Sequence, residues 1–274
     1  MLLPTASNAE DPSKDLEIEW ENSGEITFLV PSEQWIQFSI GINSTSSNSQ
    51  SIAIEIIGET NWGINQSKFI IEDTEISNQD SFELDSNEFT NITVKIYIPE
   101  IENGLPQANI EYPFQLKLSN STESYEIWNY AISILPKYSL TIDEIIEEDT
   151  IEPLGNKIHE IKIRNSGNIQ TSFVTEISPI GDDGNIIFKN ESNRFEEAGW
   201  DATLSGWIEA SSLEPNESAT LKITFNSPYT PEGNLSISLQ INSTLGGIKE
   251  NIILNTSIST IKSSKIEIDD TNCN

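Results

Sequence analysis

Hydrophobic and polar residues alternate through most of this chain with a period of two. Such alternation is typical of β-strands that have one buried face and one solvated face. The clearest example is residues 213–228, where the turn Leu213-Glu214-Pro215-Asn216-Glu217 leads into a strand that Pro228 closes. In that strand the apolar side chains share one parity: Ala219, Leu221, Ile223 and Phe225. The apolar windows lack the 3.6-residue period of an amphipathic helix, so the pattern predicts an all-β protein.

The same segment occurs twice without a gap. Residues 84–99, which lie 129 residues earlier, repeat the leucine before the turn, the alternation Ile92, Val94, Ile96, and the closing Pro99. Short strands with turns every 8–12 residues are typical of β-sandwiches. We therefore expect two tandem immunoglobulin-like β-sandwiches.

The expected boundaries follow from these strand patterns. Residues 15–136 and 137–262 form the two domains, residues 1–14 a leader remnant or disordered lead-in, and residues 263–274 a disordered acidic tail. The acidic stretch 143–151 is expected to be a loop with at most one helical turn, and a second loop is expected from Pro179 to Gly199.

The charge limits the partners. With 44 acidic against 14 basic residues, the net charge is −30, which disfavours nucleic acids and anionic membrane surfaces. The sequence contains no run of 18 apolar residues, so we expect no direct membrane insertion. The partners expected are other surface proteins, copies of the same chain, or glycans.

Several features favour a secreted or cell-surface location. Ser7 and Ala9 place small residues where a signal peptidase cleaves, although the apolar segment before them is short; a trimmed leader and a frayed terminus are both open. Nine Asn-x-Ser/Thr sequons are candidate N-glycosylation sites: Asn43, Asn65, Asn91, Asn120, Asn190, Asn216, Asn234, Asn242 and Asn255. Cys273 is the one cysteine, so no internal disulfide forms, and we expect an exposed thiol rather than an interchain bridge.

The second half resembles the NEW3 (α-galactosidase-associated) and CARDB-type immunoglobulin-like repeats of secreted archaeal and bacterial proteins. The residues that carry the likeness are Ile163-Arg164-Asn165-Ser166-Gly167-Asn168, Gly199-Trp200, the turn at 213–217 and Pro228. Asn216 stands where the family usually has glycine, and asparagine is the next-best residue for a left-handed turn position. The first half departs further from the pattern. The resemblance implies an accessory or surface module, often in arrays, that serves adhesion or presents other domains.

The sequence offers few parts for catalysis. His159 is the only histidine, and it aligns with Phe38 at a core-facing strand position, which predicts a half-buried packing role. Without a second histidine, triads of the Ser-His-Asp or Cys-His type and zinc sites lack their components. Acidic pairs are numerous, but none lies in a recognisable glycosidase arrangement, and no enzymatic activity is expected.

Two sets of residues are weak candidates for binding. Asp182, Asp183 and Asn185 surround Gly184 in the most calcium-like loop, although an ordinary turn is favoured because the closing bidentate glutamate is missing. The segment 147–149 is weaker still. Trp35 and Trp207 lie on the polar side of their alternating strands and are candidates for an exposed ligand platform, with inter-domain packing as the favoured alternative. Trp62 and Trp200 are expected in the cores.

The sequence therefore predicts a non-enzymatic extracellular structural or adhesive module of a cell envelope, without a cofactor. A carbohydrate-binding accessory module of a secreted hydrolase is the alternative.

Overall fold

Strands are the regular elements of the described chain. The computed structural model describes residues 16–19, 26–58, 62, 64, 67–120, 124–144, 148–187, 191, 193–206, 212–230 and 232–259, with backbone alone at 16–19, 124–129, 144 and 148. The first ten strands are β1 Leu16–Glu19, β2 Ile26–Val30, β3 Gln34–Ser44, β4 Gln50–Gly58, β5 Lys68–Ile71, β6 Thr74–Ser77, β7 Ser81–Leu84, β8 Phe89–Ile98, β9 Glu111–Ser119 and β10 Ser124–Ile134. The next ten are β11 Leu140–Glu144, β12 Glu148–Ile151, β13 Asn156–Asn165, β14 Thr171–Ile180, β15 Arg194–Glu197, β16 Trp200–Gly206, β17 Ser212–Leu213, β18 Ser218–Asn226, β19 Asn234–Ser243 and β20 Lys249–Ile258.

The chain divides into two compact units. One comprises residues up to 137 together with residues 167–169, and the other comprises the remainder. Each unit is a sandwich of two five-stranded sheets. The orders are β1-β3-β8-β5-β6 and β2-β10-β9-β4-β7 in the first, and β11-β13-β18-β16-β15 and β12-β20-β19-β14-β17 in the second. The predicted all-β fold of two tandem immunoglobulin-like sandwiches is confirmed.

The alternation in the sequence determines which side chains fill each core. In β8, Ile92, Val94 and Ile96 are fully buried, while Asn91 on the opposite parity is exposed. The core of the first unit includes an aromatic cluster in which the ring centroids of Phe38 and Tyr130 lie 5.2 Å apart. Burying such side chains stabilises a domain by about 1.5–3 kcal/mol each, so these cores supply most of the stability.

The repeated turn has the same geometry in both units. Asn87 and Asn216 take φ values of 55° and 66°, in the left-handed region that asparagine tolerates better than most residues. The Glu88 carboxylate accepts a hydrogen bond from the Asp85 backbone N–H at 2.6 Å. The Glu217 carboxylate accepts the corresponding bond from Glu214 at 2.8 Å. The turn is therefore held by its own side chains, and each copy delivers the chain into a central strand.

Two expectations about loops were wrong. Within the expected loop 143–151, residues 143–144 end β11, which pairs with β13, and residues 148–151 form β12, which pairs in parallel with β20. The expected loop from Pro179 to Gly199 contains the strand β15, which pairs with β16. In both places the hydrogen bonds of a neighbouring strand override a local sequence that is acidic or polar.

Candidate ligand-binding face

The outer face of the β3–β8–β5–β6 sheet brings a tryptophan and a tyrosine together with two lysines. Isoleucines at the even positions of β3 point into the core, so the odd positions point outward. Trp35 lies on this outward side and keeps 48% of its surface exposed. Trp35 therefore lies on the side of the strand that its polar parity in the sequence indicates.

Tyr97 lies directly across from Trp35. The two residues are cross-strand partners of β3 and β8, and their ring centroids are 5.2 Å apart with the ring planes inclined by 48°. The Lys68 Nζ atom lies 6.0 Å from the centroid of the Trp35 ring, within range of a cation–π interaction. The two rings and the ammonium group thus form one continuous surface.

A second cation adjoins this surface. Lys95 of β8 is the cross-strand partner of both Gln37 of β3 and Lys68 of β5. Glu75 of β6 forms an ion pair with Lys68, with 2.5 Å between Oε1 and Nζ. The hydrogen bond from Lys68 lowers the pKa of Glu75, and the charges of Lys68 and Lys95 lower it further.

We call this set the aromatic–lysine face, and it comprises Trp35, Gln37, Lys68, Glu75, Lys95 and Tyr97. Its rings offer flat apolar surfaces, and beside them Gln37, Lys68 and Lys95 offer hydrogen-bond donors and Glu75 an acceptor. Such an arrangement can stack against the apolar face of a ring and hydrogen-bond to substituents around that ring.

The sequence analysis identified Trp35 but missed its neighbours. Lys95 and Tyr97 share the polar parity of β8, a signal that was readable beside Ile96 and Ile98. Lys68 and Glu75 join the face through pairing with β8, which no local pattern indicates.

The other tryptophans follow their expected positions where they are described. Trp200 is buried in the core of the second unit at 3% exposure. Trp62 packs against the first core, with its ring at right angles to that of Tyr112 at 5.6 Å. Trp207, the second candidate for the platform, lies outside the described residues, as does Cys273.

The calcium-like loop is an ordered turn. The Asp183 carboxylate accepts hydrogen bonds from the Asn185 side chain at 2.8 Å and from its backbone N–H at 3.1 Å. These bonds lower the pKa of Asp183. Gly184 takes a φ of 78°, and its N–H donates to the Gly181 carbonyl. The polar groups of Asp183 and Asn185 therefore satisfy one another, while Asp182 is exposed.

Within the described ranges, no cluster of three or more His, Cys, Asp or Glu side chains is placed to share a metal ion. In the segment 147–149, the weaker candidate for calcium binding, only the side chain of Asp149 is described. It pairs with Lys157 at 2.5 Å.

His159 is more deeply buried than expected. The prediction of a half-buried side chain was wrong, because only 1% of His159 is exposed. Its ring packs edge-on against Phe225 with centroids 4.9 Å apart, and its Nε2 lies 3.4 Å from an Asp149 carboxylate oxygen. Its backbone partner is Ile223, which corresponds to the pairing of Phe38 with Val94 in the first unit, so the predicted alignment with Phe38 is confirmed.

The described sequons differ in accessibility. Asn91, Asn216 and Asn234 are exposed, whereas Asn43, Asn120, Asn242 and Asn255 are half-buried. Some of their amides take part in hydrogen bonds: the Asn120 amide donates to Gln50 at 3.2 Å, and the Asn255 carbonyl oxygen accepts from Ser236 at 2.7 Å. Asn65 and Asn190 lie outside the described residues.

In the part of the chain that the structure describes, no helix has the length and apolar character needed to cross a membrane. A surface depression of about 200 Å³ lies at the turn between β15 and β16. Six consecutive residues, 196–201, line it, so it is a feature of one hairpin.

Comparison with known proteins gives distant likenesses. No protein-family model matches the sequence, and no curated protein matches it. Among solved structures, DIP-gamma IG1+IG2 has a TM-score of 0.36 at 11% identity, over 90% of this chain and 98% of that one.

Two larger structures also resemble parts of the chain. A family 123 glycoside hydrolase from Clostridium perfringens has a TM-score of 0.31 at 9% identity, over 42% of this chain. An Escherichia coli alpha-2-macroglobulin activated by porcine elastase has a TM-score of 0.30 at 10% identity, over 93% of this chain. This chain spans 22% of the length of the hydrolase and 23% of that of the macroglobulin. Similarity at this level assigns neither a family nor a function to the chain.

Proposed function

We propose that this protein is a non-enzymatic structural and adhesive module of a cell envelope, acting outside the cell. The observation that carries the proposal is the aromatic–lysine face, where Trp35 and Tyr97 are held side by side on the outside of a sheet. Large exposed aromatic side chains are enriched at binding surfaces because they supply contact area at low entropic cost.

The sheet holds this face rigid. β8 is hydrogen-bonded to β3 along the whole of this face and to β5 as far as Lys95, so Tyr97 and Lys95 project from a paired strand. Directly beneath them, Ile96 and Ile98 are fully buried in the core. Side chains on such a support lose little further freedom when a partner binds, which favours binding.

The charge of the chain suits an extracellular module. A net charge of −30 keeps copies of a protein apart and soluble in a dense or salty envelope. The turn residues that resemble NEW3 and CARDB-type repeats support the same assignment. The partners we propose are surface proteins, copies of the chain, or glycans.

Protease treatment of intact cells tests the location. Cells that express the native gene are treated with a non-penetrating protease, and the protein is followed by immunoblot beside a cytoplasmic marker. We expect the protein to be degraded while the marker survives. Survival of both until the cells are lysed would show that the protein lies inside, and the proposal would fail.

A second function is favoured by the same face, namely a carbohydrate-binding accessory module of a secreted hydrolase. Recovery of the complete gene separates the two functions. A glycoside hydrolase domain in the same product would support the accessory role, whereas further β-sandwich repeats or a membrane anchor would support the structural one.

A further inference from the structure

We infer that the aromatic–lysine face binds a single glycan chain that carries carboxylate groups. This inference rests on the proposed adhesive function and names the ligand of that face. Trp35 and Tyr97 stack on sugar rings, and Lys95 pairs with a sugar carboxylate.

The geometry of the two rings favours a single chain. Because the ring planes are inclined by 48° with centroids 5.2 Å apart, they form a bent surface rather than one plane. A flat crystalline polysaccharide needs coplanar aromatic rings to contact several chains at once. A bent pair instead contacts neighbouring sugars of one twisted chain.

The position of the lysines indicates an acidic ligand. Only 14 of the 274 residues are basic, yet Lys68 and Lys95 lie directly opposite each other on neighbouring strands. Like charges in such a pair destabilise a sheet. A pair of like charges that costs stability in this way is expected at positions that serve function rather than stability.

Glu75 compensates only part of this charge. It forms its ion pair with Lys68, and it interacts with Lys95 only through charge. One carboxylate therefore serves two lysines, and an anion above the sheet would balance the second positive charge. The carboxylate of an acidic sugar stacked on Trp35 would supply that anion.

The rest of the chain sets an upper limit on the charge of the ligand. Two lysines beside an overall charge of −30 cannot offset the repulsion of a densely charged polyanion such as a nucleic acid. A polysaccharide with about one carboxylate per sugar has a lower charge density, and salt screens the distant acidic residues of the protein over about 8 Å. The favoured ligand is therefore an acidic glycan.

Affinity electrophoresis with polygalacturonate, alginate and hyaluronan tests the inference, with neutral hydroxyethyl cellulose and galactomannan in parallel. We expect retardation by at least one acidic polysaccharide and weaker or no retardation by the neutral ones. Trp35→Ala and Lys95→Gln should each weaken that binding about tenfold, which corresponds to the loss of one good contact.

Matched variants control for position and charge. Phe89→Ala removes another exposed aromatic residue on β8, and Lys117→Gln removes a lysine on β9 in the other sheet. Both should bind as the wild type does. Circular dichroism checks the fold of each variant, and Trp35→Phe, which keeps a ring, should retain part of the affinity.

Three results would overturn the inference. The first is no retardation by any of the acidic polysaccharides, and the second is equal binding of neutral and acidic polysaccharides that Lys95→Gln leaves unchanged. The third is a loss of affinity in Phe89→Ala as large as that in Trp35→Ala. If the protein is degraded on intact cells but fails to bind acidic glycans, the extracellular location stands and the ligand inferred for this face is wrong.

Discussion

The repeated turn offers a sharp test, because the same substitution can be made in two copies of one structure. Asn87 and Asn216 both lie in the left-handed region, with φ values of 55° and 66°. Alanine lacks the short polar side chain that makes this region tolerable for asparagine. We expect Asn87→Ala and Asn216→Ala each to destabilise the protein.

The size of the effect follows from the backbone. A left-handed conformation costs an L-residue about 1–2 kcal/mol, and asparagine avoids part of that cost, so each alanine should lower the free energy of unfolding by about 1 kcal/mol. For a sandwich of this size that is about 4 °C in Tm. Glycine adopts the conformation freely, and its variants should stay within about 0.5 kcal/mol of the wild type. Asn216 also accepts a hydrogen bond from Arg164 at 3.3 Å, but the site is exposed and water replaces that bond.

Urea denaturation measures the change, and hydrogen exchange by mass spectrometry locates it. Peptides covering residues 26–137 should lose protection in the Asn87 variant, and those covering residues 170–259 in the Asn216 variant. Asn91→Ala, at an exposed strand position, is the control and should change stability little. The reasoning fails if the alanine variants unfold at the wild-type midpoint, or if the glycine variants lose as much stability as the alanine variants.

Three further predictions concern the cores, one ion pair and the calcium-like loop. Leu84→Ala and Leu213→Ala truncate the equivalent buried leucines of the two turns, and each should lower the free energy of unfolding by about 2–5 kcal/mol, as measured by urea denaturation. A decrease below about 1 kcal/mol would show that the structure collapses around the smaller side chain. Asp143→Asn should lower Tm at pH 7, because the hydrogen bond from Arg164 lowers the Asp143 pKa below its usual 3.8. A carboxyl group whose pKa is lowered by folding stabilises the fold at pH values above its unfolded pKa, and this stabilisation is lost as pH falls through its folded pKa. The Tm values of the two proteins should therefore converge below about pH 3.8, and a constant difference in Tm would contradict this origin. EDTA should leave Tm unchanged, because the Asp183 carboxylate already accepts a hydrogen bond from the Asn185 side chain. A lower Tm in the presence of the chelator would reveal a bound structural ion.

The sequence by itself determined most of the strands and the direction in which their side chains face. Because side chains alternate across a strand, the parity of Ile92, Val94 and Ile96 is enough to place those residues in the core, and the same rule places Trp35 on the outside. The turn was equally readable, since Asn216 is one of the few residues that a left-handed position accepts without glycine. These are local properties, so a few consecutive residues suffice to predict them.

The tertiary structure decided what lies beside each exposed residue. Trp35 and Tyr97 are 62 positions apart in the chain, and only the register between β3 and β8 brings their rings into contact. The opposition of Lys68 and Lys95 likewise depends on the pairing of β5 with β8. The acidic segment 148–151 became a strand because β20 supplied its hydrogen bonds, which no local pattern indicated. Strand pairing is non-local, so alternation predicts the face on which a side chain lies but not its neighbour on that face.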